Sequence, residues 1–140
     1  MKHVEVVCAI IINDNNEVFC AKRGPGRPLE GLWEFPGGKI EQGEKQEEAI
    51  VREIKEELNS LIKPIKYLGK VEHIYNNLDK PFSITMYGYL SKVVEGNLKI
   101  SEHTEKQWVK IENLTDVEFA GADIPFTNMI KENFKNTRLK

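Results

Sequence analysis

The segment that most restricts the fold is a glycine turn followed by an acidic helix at residues 38–57. It reads GKIEQGEKQEEAIVREIKEE. Apolar residues recur with helical spacing from Ala49 to Leu58, so we expect a helix that starts near Glu44 or Lys45 and ends at Leu58. Because one face of this helix is apolar, it must pack against another layer of structure.

Three carboxylates share one face of the predicted helix near its C-terminus. Glu53, Glu56 and Glu57 stand at positions i, i+3 and i+4. Their mutual repulsion and the helix dipole both disfavour this arrangement, whereas a bound Mg²⁺ would favour it, since hard cations take oxygen ligands. The alternative is a solvated helix face whose charge is screened by Arg52 and Lys55.

The pattern around these carboxylates resembles the Nudix box, which is G, five residues, E, seven residues, then R-E-aliphatic-x-E-E-x-G-aliphatic. The matching residues are Gly38, Glu44, Arg52, Glu53, Ile54, Glu56 and Glu57. Asn59 and Ser60 stand where the box has Gly and an aliphatic residue. Asn tolerates the left-handed conformation at a helix C-terminus, and Leu61 or Ile62 could supply the apolar contact. The departures therefore concern the helix exit and not the carboxylates.

The resemblance implies a fold and a metal site. The fold is an α/β/α sandwich, with a mixed sheet between a catalytic helix and a C-terminal helix. The cofactor is Mg²⁺, with Mn²⁺ as the other possibility, and its ligands are Glu53, Glu56 and Glu57. In the family a glycine-loop carbonyl and a distal acidic residue complete the shell, and these roles would fall here to Gly37 and Glu102. A solvated loop carboxylate is the alternative for Glu102.

Five residues have expected roles in catalysis or substrate binding, and one of them, Glu53, is also an expected metal ligand. Glu53 is the expected general base, while Glu44 either supports it or only caps the helix N-terminus. The resemblance implies that Arg52 pairs with a box glutamate and fixes its rotamer. Lys39, after the glycines, and Arg23, at the end of a predicted strand, are expected to contact phosphate or base.

The resemblance extends to the MutT-type branch of the family, which hydrolyses nucleoside triphosphates to monophosphate and pyrophosphate. It rests on GLWEFPGGKIEQGE, AKRG and GADIP. In that branch Phe35 would line the base pocket, Arg23 would approach the base, and Asp123 would read the base edge. An ionised Asp only accepts hydrogen bonds, which suits 8-oxo-dGTP or a cytosine nucleotide. Asp123 could instead only cap the last helix.

Several functions remain open at this point. The leading prediction is an enzyme that removes 8-oxo-dGTP or related damaged nucleotides. The second is a pyrophosphohydrolase of CTP or 5-methyl-dCTP, since similar enzymes also carry an ADIP-like segment. Family members that act on nucleotide sugars, dinucleotides or capped RNA are further possibilities. From a different class, the chain could be a regulatory module that binds a nucleotide without cleaving it.

Composition and charge limit the number of domains, the binding partners and the cellular location that we expect. With 140 residues, 40% apolar and 30% charged, the chain suits one domain over residues 1–140. A net charge of -2 provides no basic field for long nucleic acid. The apolar start is interrupted by Glu5, so we expect a cytoplasmic protein that does not enter a membrane. A monomer is the default expectation. Cys8 and Cys20 lie in apolar runs and are expected to be reduced and inert.

The remaining elements are read from alternation and turn residues. Residues 4–12 suit a strand buried on both faces, and residues 24–31, rich in Gly and Pro, suit an exposed loop that borders a ligand. Further strands are predicted at residues 17–22, 32–35, 65–75, 82–93 and 106–111, and a final helix at residues 123–134.

Overall fold

A computed structural model describes residues 1–139 of the chain, with side chains described to residue 135. Seven strands and two α-helices make up the fold. The strands are β1 (Lys2–Ile11), β2 (Glu17–Arg23), β3 (Trp33–Glu34), β4 (Gly37–Lys39), β5 (Leu61–Tyr75), β6 (Phe82–Glu95) and β7 (His103–Lys110). The helices are α1 (Gln46–Leu58) and α2 (Ile124–Leu139), with a 3₁₀ helix at Ile111–Asp116.

The strands form two sheets. The first is mixed and four-stranded in the order β4-β1-β6-β5, with β1 parallel to β6 and antiparallel to β4. The second is three-stranded and antiparallel in the order β3-β2-β7. The β1 strand is therefore central, which is why its sequence is apolar along most of its length.

Alternation along β1 places the two helices on opposite faces of the mixed sheet. Val7, Ala9 and Ile11 pack with the apolar stripe of α1. Cys8 and Ile10 point the other way and pack with α2. The α/β/α arrangement predicted above is confirmed. The first strand is buried on both faces over residues 7–11 but not at residues 4–6, so that prediction holds only for its second half. Both cysteines are free and buried, as expected.

The exit of α1 shows how the two departures from the box are accommodated. Asn59 has φ 48° and ψ 44°, and its N–H donates to the carbonyl of Lys55. Ser60 is buried, where its hydroxyl donates to the carbonyl of Leu58 and accepts the N–H of Leu98. Ile62, at 3% exposure, supplies the apolar contact. The predicted helix stop is confirmed.

The glycine segment differs from its prediction, whereas the start of α1 agrees with its prediction to within one residue. The glycines that were expected to form a turn lie in strand β4, where Gly37 and Gly38 pair with β1. Helix α1 begins at Gln46, and its first turn is capped by Glu48, which accepts the N–H of Lys45. The capping role considered for Glu44 is therefore wrong.

No helix within residues 1–139 has the length and apolar character needed to cross a membrane.

Candidate active site

Close packing of β4 against β1 and α1 builds the first wall of the site. A Cβ on Gly37 would overlap the carbonyl oxygen of Val7 and lie 2.7 Å from the Cα of Cys8. A Cβ on Gly38 would overlap the carboxylate of Glu53. Glycine at both positions thus lets the strand approach its neighbour and lets the Glu53 carboxylate lie directly on the backbone.

Arg52 organises the carboxylates on this side of α1. Its Nε and Nη2 donate to Glu44 at 2.7 and 3.0 Å, and its Nη1 donates to Glu53 at 2.9 Å and to Glu56 at 3.2 Å. Nη2 also donates to the carbonyl of Lys39 at 3.0 Å. Arg52 therefore ties the helix to β4 and holds Glu53 in one orientation.

The same contacts shift the pKa values of Glu44 and Arg52 in opposite directions. The hydrogen bond from Arg52, together with the N–H of Glu41, lowers the pKa of Glu44 to about 2. The bond with Glu44 in turn raises the pKa of Arg52. Glu44 is therefore ionised at neutral pH and acts as a fixed acceptor for the guanidinium.

Glu57 has the opposite electrostatic environment. It is partly buried, and burial followed by the charges of Glu34, Glu53 and Glu102 raises its pKa to about 8. The negative charges of three carboxylates, from three parts of the chain, thus disfavour ionisation of the Glu57 carboxyl. This excess of negative charge is what a bound cation would neutralise.

The carboxylates do not form a finished metal shell. Among residues 1–139, no three His, Cys, Asp or Glu side chains are positioned together to hold a metal ion. Glu56 pairs with Arg52, and Glu102 pairs with Arg27 at 3.8 Å. Both acidic side chains are 59% exposed, so rotation toward a cation is open to them. The donors are all oxygens, and this set fits a hard divalent cation.

A cavity of about 230 Å³ lies next to these carboxylates, because it is lined by Gly38, whose backbone the Glu53 carboxylate contacts. Of the residues predicted to bind substrate or metal, five line it: Arg23, Phe35, Gly37, Lys39 and Asp123. Phe35 is 2% exposed and stacks on Phe119, with ring centroids 4.7 Å apart. The structure therefore brings residues from three separate segments of the chain to one cavity.

Asp123 lies at the buried end of this cavity. It is 2% exposed, and its Oδ1 accepts the N–H of Phe35 at 3.3 Å. Burial, followed by the charge of Glu34, raises the pKa of Asp123 well above its usual range. Burial therefore favours the protonated form of this carboxyl, which can donate as well as accept, whereas the prediction from sequence considered only the ionised form.

Sequence reasoning assigned no role to a buried network beside Arg23. Glu34 accepts hydrogen bonds from Arg23 Nη1 at 2.6 Å and pairs with His103 Nε2 at 2.7 Å. Arg23 Nε also donates to the carbonyl of Pro28 at 2.7 Å. Burial alone would raise the pKa of Glu34, but His103 and Arg23 outweigh it and lower that pKa. Glu34 is thus a fixed anion that orients Arg23.

Tyr75 is a second cavity residue that the sequence did not indicate. It is 6% exposed, and its hydroxyl accepts the N–H of Ala122 at 2.7 Å. This contact holds the segment immediately before Asp123. The position of Glu34 inside WEFPGG was a usable signal for its role, whereas nothing local to Tyr75 in the sequence pointed to the cavity.

The raised pKa of Glu57 predicts how pH affects stability without metal. The folded state holds this proton more tightly than the unfolded chain, so the stabilisation is complete below about pH 4 and is lost as pH rises through about 8. In chelator, Glu57→Gln should therefore be more stable than the wild type by about 1–2 kcal/mol near pH 8 and about equal near pH 4.5. Urea unfolding at both pH values measures this difference, and a constant difference across pH would contradict it.

Comparison with known proteins is consistent with this geometry. Residues 1–129 match the family model described as the NUDIX domain. An 8-oxo-dGTP diphosphatase of Escherichia coli (strain K12) is 31% identical over 131 residues, which is 94% of this chain and 98% of that protein. A CTP pyrophosphohydrolase of the same organism is 34% identical over 125 residues, with 89% of each chain covered.

Solved structures show the same fold. The solution structure of the E. coli ORF135 protein has a TM-score of 0.78 and 32% identity, covering 94% of this chain and 91% of that one. A MutT NUDIX hydrolase from Burkholderia pseudomallei has a TM-score of 0.79 and 25% identity, covering 92% of this chain and 98% of that one. The chain therefore belongs to the Nudix hydrolase family.

Proposed function

We propose that the protein is a Mg²⁺-dependent pyrophosphohydrolase that converts a nucleoside triphosphate to its monophosphate and pyrophosphate. The observation that carries this proposal is the carboxylate cluster of α1 lying beside a cavity of about 230 Å³ that is lined by Phe35, Arg23 and Asp123. A nucleotide spans both parts, with its base in the cavity and its phosphates toward the carboxylates. The 8-oxo-dGTP diphosphatase relative supports the same reaction.

The proposed roles follow from the contacts. When bound, divalent cations would neutralise phosphate charge and lower the pKa of the attacking water. Glu53, held by Arg52 at 2.9 Å, accepts the proton of that water at its carboxylate. Glu44 keeps Arg52 in place through two hydrogen bonds. Glu53, Glu56, Glu57 and Glu102, with the carbonyl of Gly37, would hold the cations. Lys39, which lines the cavity, would contact a phosphate.

For the base we propose 8-oxo-dGTP first and a cytosine nucleotide second. The cytosine candidate is favoured by the CTP pyrophosphohydrolase relative, which is 34% identical. Asp123 supports either choice, because it lines the cavity and burial raises its pKa, and the protonated form of a carboxyl adds a donor to its acceptors. Its position against the N–H of Phe35 makes it part of the cavity wall and not an exposed helix cap.

A substrate panel tests this proposal. We expect kcat/KM for 8-oxo-dGTP to exceed that for dGTP by at least about tenfold, with CTP and 5-methyl-dCTP measured alongside. Equal values for dGTP and 8-oxo-dGTP would remove the damaged-nucleotide function, and a preference for the cytosine nucleotides would favour the second candidate. Nucleotide sugars and dinucleotides in the same panel test the other family activities.

The panel also separates an enzyme from a binding module. We expect pyrophosphate release in Mg²⁺ that stops when a chelator is added. Nucleotide binding without turnover in Mg²⁺ or Mn²⁺ would instead support the regulatory module.

A further inference from the structure

Arg27 carries a buried donor that has no hydrogen-bond partner among the described residues. The Nη1 atom of Arg27 is shielded from solvent. Among the described residues, its only ion pair is with Oε2 of Glu102 at 3.8 Å, which is beyond hydrogen-bonding distance. A buried donor without an acceptor is unfavourable, and such groups are rare in folded proteins. An acceptor on a ligand would satisfy it.

Arg27, which carries the unpartnered nitrogen, is part of the proposed site. Arg27 lines that cavity together with Arg23, Lys39, Gly37 and Gly38. The Nε and Nη1 of Arg23 are already bonded to Pro28 and Glu34, so the two guanidinium groups differ in what they can still bind. Arg27 is the one with an unused, desolvated donor.

The pairing of Arg27 with Glu102 indicates which part of a ligand it would meet. Glu102 is one of the carboxylates that act on Glu57, so it lies at the carboxylate end of the site. Phe35 and Asp123, both 2% exposed, line the buried part of the same cavity. A nucleotide with its base between those two residues would carry its phosphate chain past Arg27.

The loop that carries Arg27 is held at its base. The N–H of Arg23 donates to the carbonyl of Leu32 at 2.9 Å, and the N–H of Gly31 donates to the carbonyl of Arg23 at 3.1 Å. Proline on either side, at positions 25 and 28, limits the backbone near Arg27. The pair with Glu102 is long, at 3.8 Å, and the Glu102 side chain is 59% exposed, so the guanidinium can exchange this carboxylate for another anionic oxygen at little cost.

We propose that Arg27 binds the polyphosphate chain of the nucleotide, beyond the α-phosphate. A guanidinium presents paired N–H donors that match phosphate oxygens, which accounts for an arginine at this position. The inference rests on the proposed function, because it assumes a nucleotide in the cavity. It adds a substrate-binding residue on a loop that the box does not include.

Equilibrium binding of a non-hydrolysable α,β-methylene nucleoside triphosphate tests this role. With Mg²⁺ and with chelator, Arg27→Gln should weaken binding of this analogue by about tenfold, while binding of the monophosphate changes by less than about twofold. Arg27→Lys should recover part of the affinity. Lys22→Gln is the matched control, since Lys22 pairs with Glu105 on the neighbouring strand at 3.2 Å and should bind like the wild type.

Two results would overturn the inference while leaving the proposed function intact. One is triphosphate binding by Arg27→Gln within about twofold of the wild type, and the other is an equal loss for monophosphate and triphosphate. Failure of the wild type to bind any nucleotide is a different result, which would overturn the proposed function and this inference together. An unchanged melting temperature of Arg27→Gln confirms that the loss is not due to unfolding.

Discussion

Glu57→Gln is expected to lower kcat/KM for metal-dependent pyrophosphate release by about 10³-fold. The proposed cation site loses one anionic oxygen, and metal-assisted and acid–base steps in hydrolysis each contribute about 10²–10⁴-fold. The variant should remain folded, because Gln removes a carboxyl whose pKa is raised to about 8 by burial and by Glu34, Glu53 and Glu102. Steady-state pyrophosphate release in Mg²⁺ measures the effect.

The matched control for this variant is Glu47→Gln. Glu47 is an exposed carboxylate in the first turn of the same helix and does not line the cavity. It should keep activity within about twofold of the wild type. Full activity of Glu57→Gln would remove Glu57 from the metal site, whereas a loss in both variants would point to a general effect of helix charge.

Gly37→Ala is expected to destabilise the fold by about 3 kcal/mol. The new Cβ would overlap the backbone of β1 at Val7 and Cys8, and neither strand can move without disturbing the central sheet. For a domain of this size the melting temperature should fall by about 10 °C. Thermal and urea unfolding in chelator measure the loss without a contribution from metal binding.

Substitution of Gly38 provides a comparison for Gly37→Ala. At Gly38 an added Cβ would meet the Glu53 carboxylate, a side chain that can move, and not backbone. Gly38→Ala should therefore lose less stability than Gly37→Ala but still lose activity, because Glu53 is displaced from the position that Arg52 holds. Equal stability of the two variants would contradict the packing argument for β4.

Much of the helix that carries the site was predictable because its signals are local. The apolar stripe of Ala49, Ile50, Ile54 and Leu58 was predicted from spacing and is fully buried. Asn59 ends the helix in the left-handed conformation, as its side chain allows. Strand β4 was not predicted, because Gly37 and Gly38 have no side chains to alternate and are strand residues only through their pairing with β1.

The sequence by itself determined the family, the acidic face of α1 and the class of reaction that such a face suits, since these depend on residue types at short, regular spacing. Only the tertiary structure decided what surrounds each group. It buries Asp123 at 2% exposure, joins Glu34 to His103 across 69 positions, and leaves Arg27 Nη1 without a hydrogen-bond partner in the described chain. Burial and long-range pairing set the charge state and the free hydrogen-bonding capacity of a side chain, and neither can be read from its neighbours in sequence.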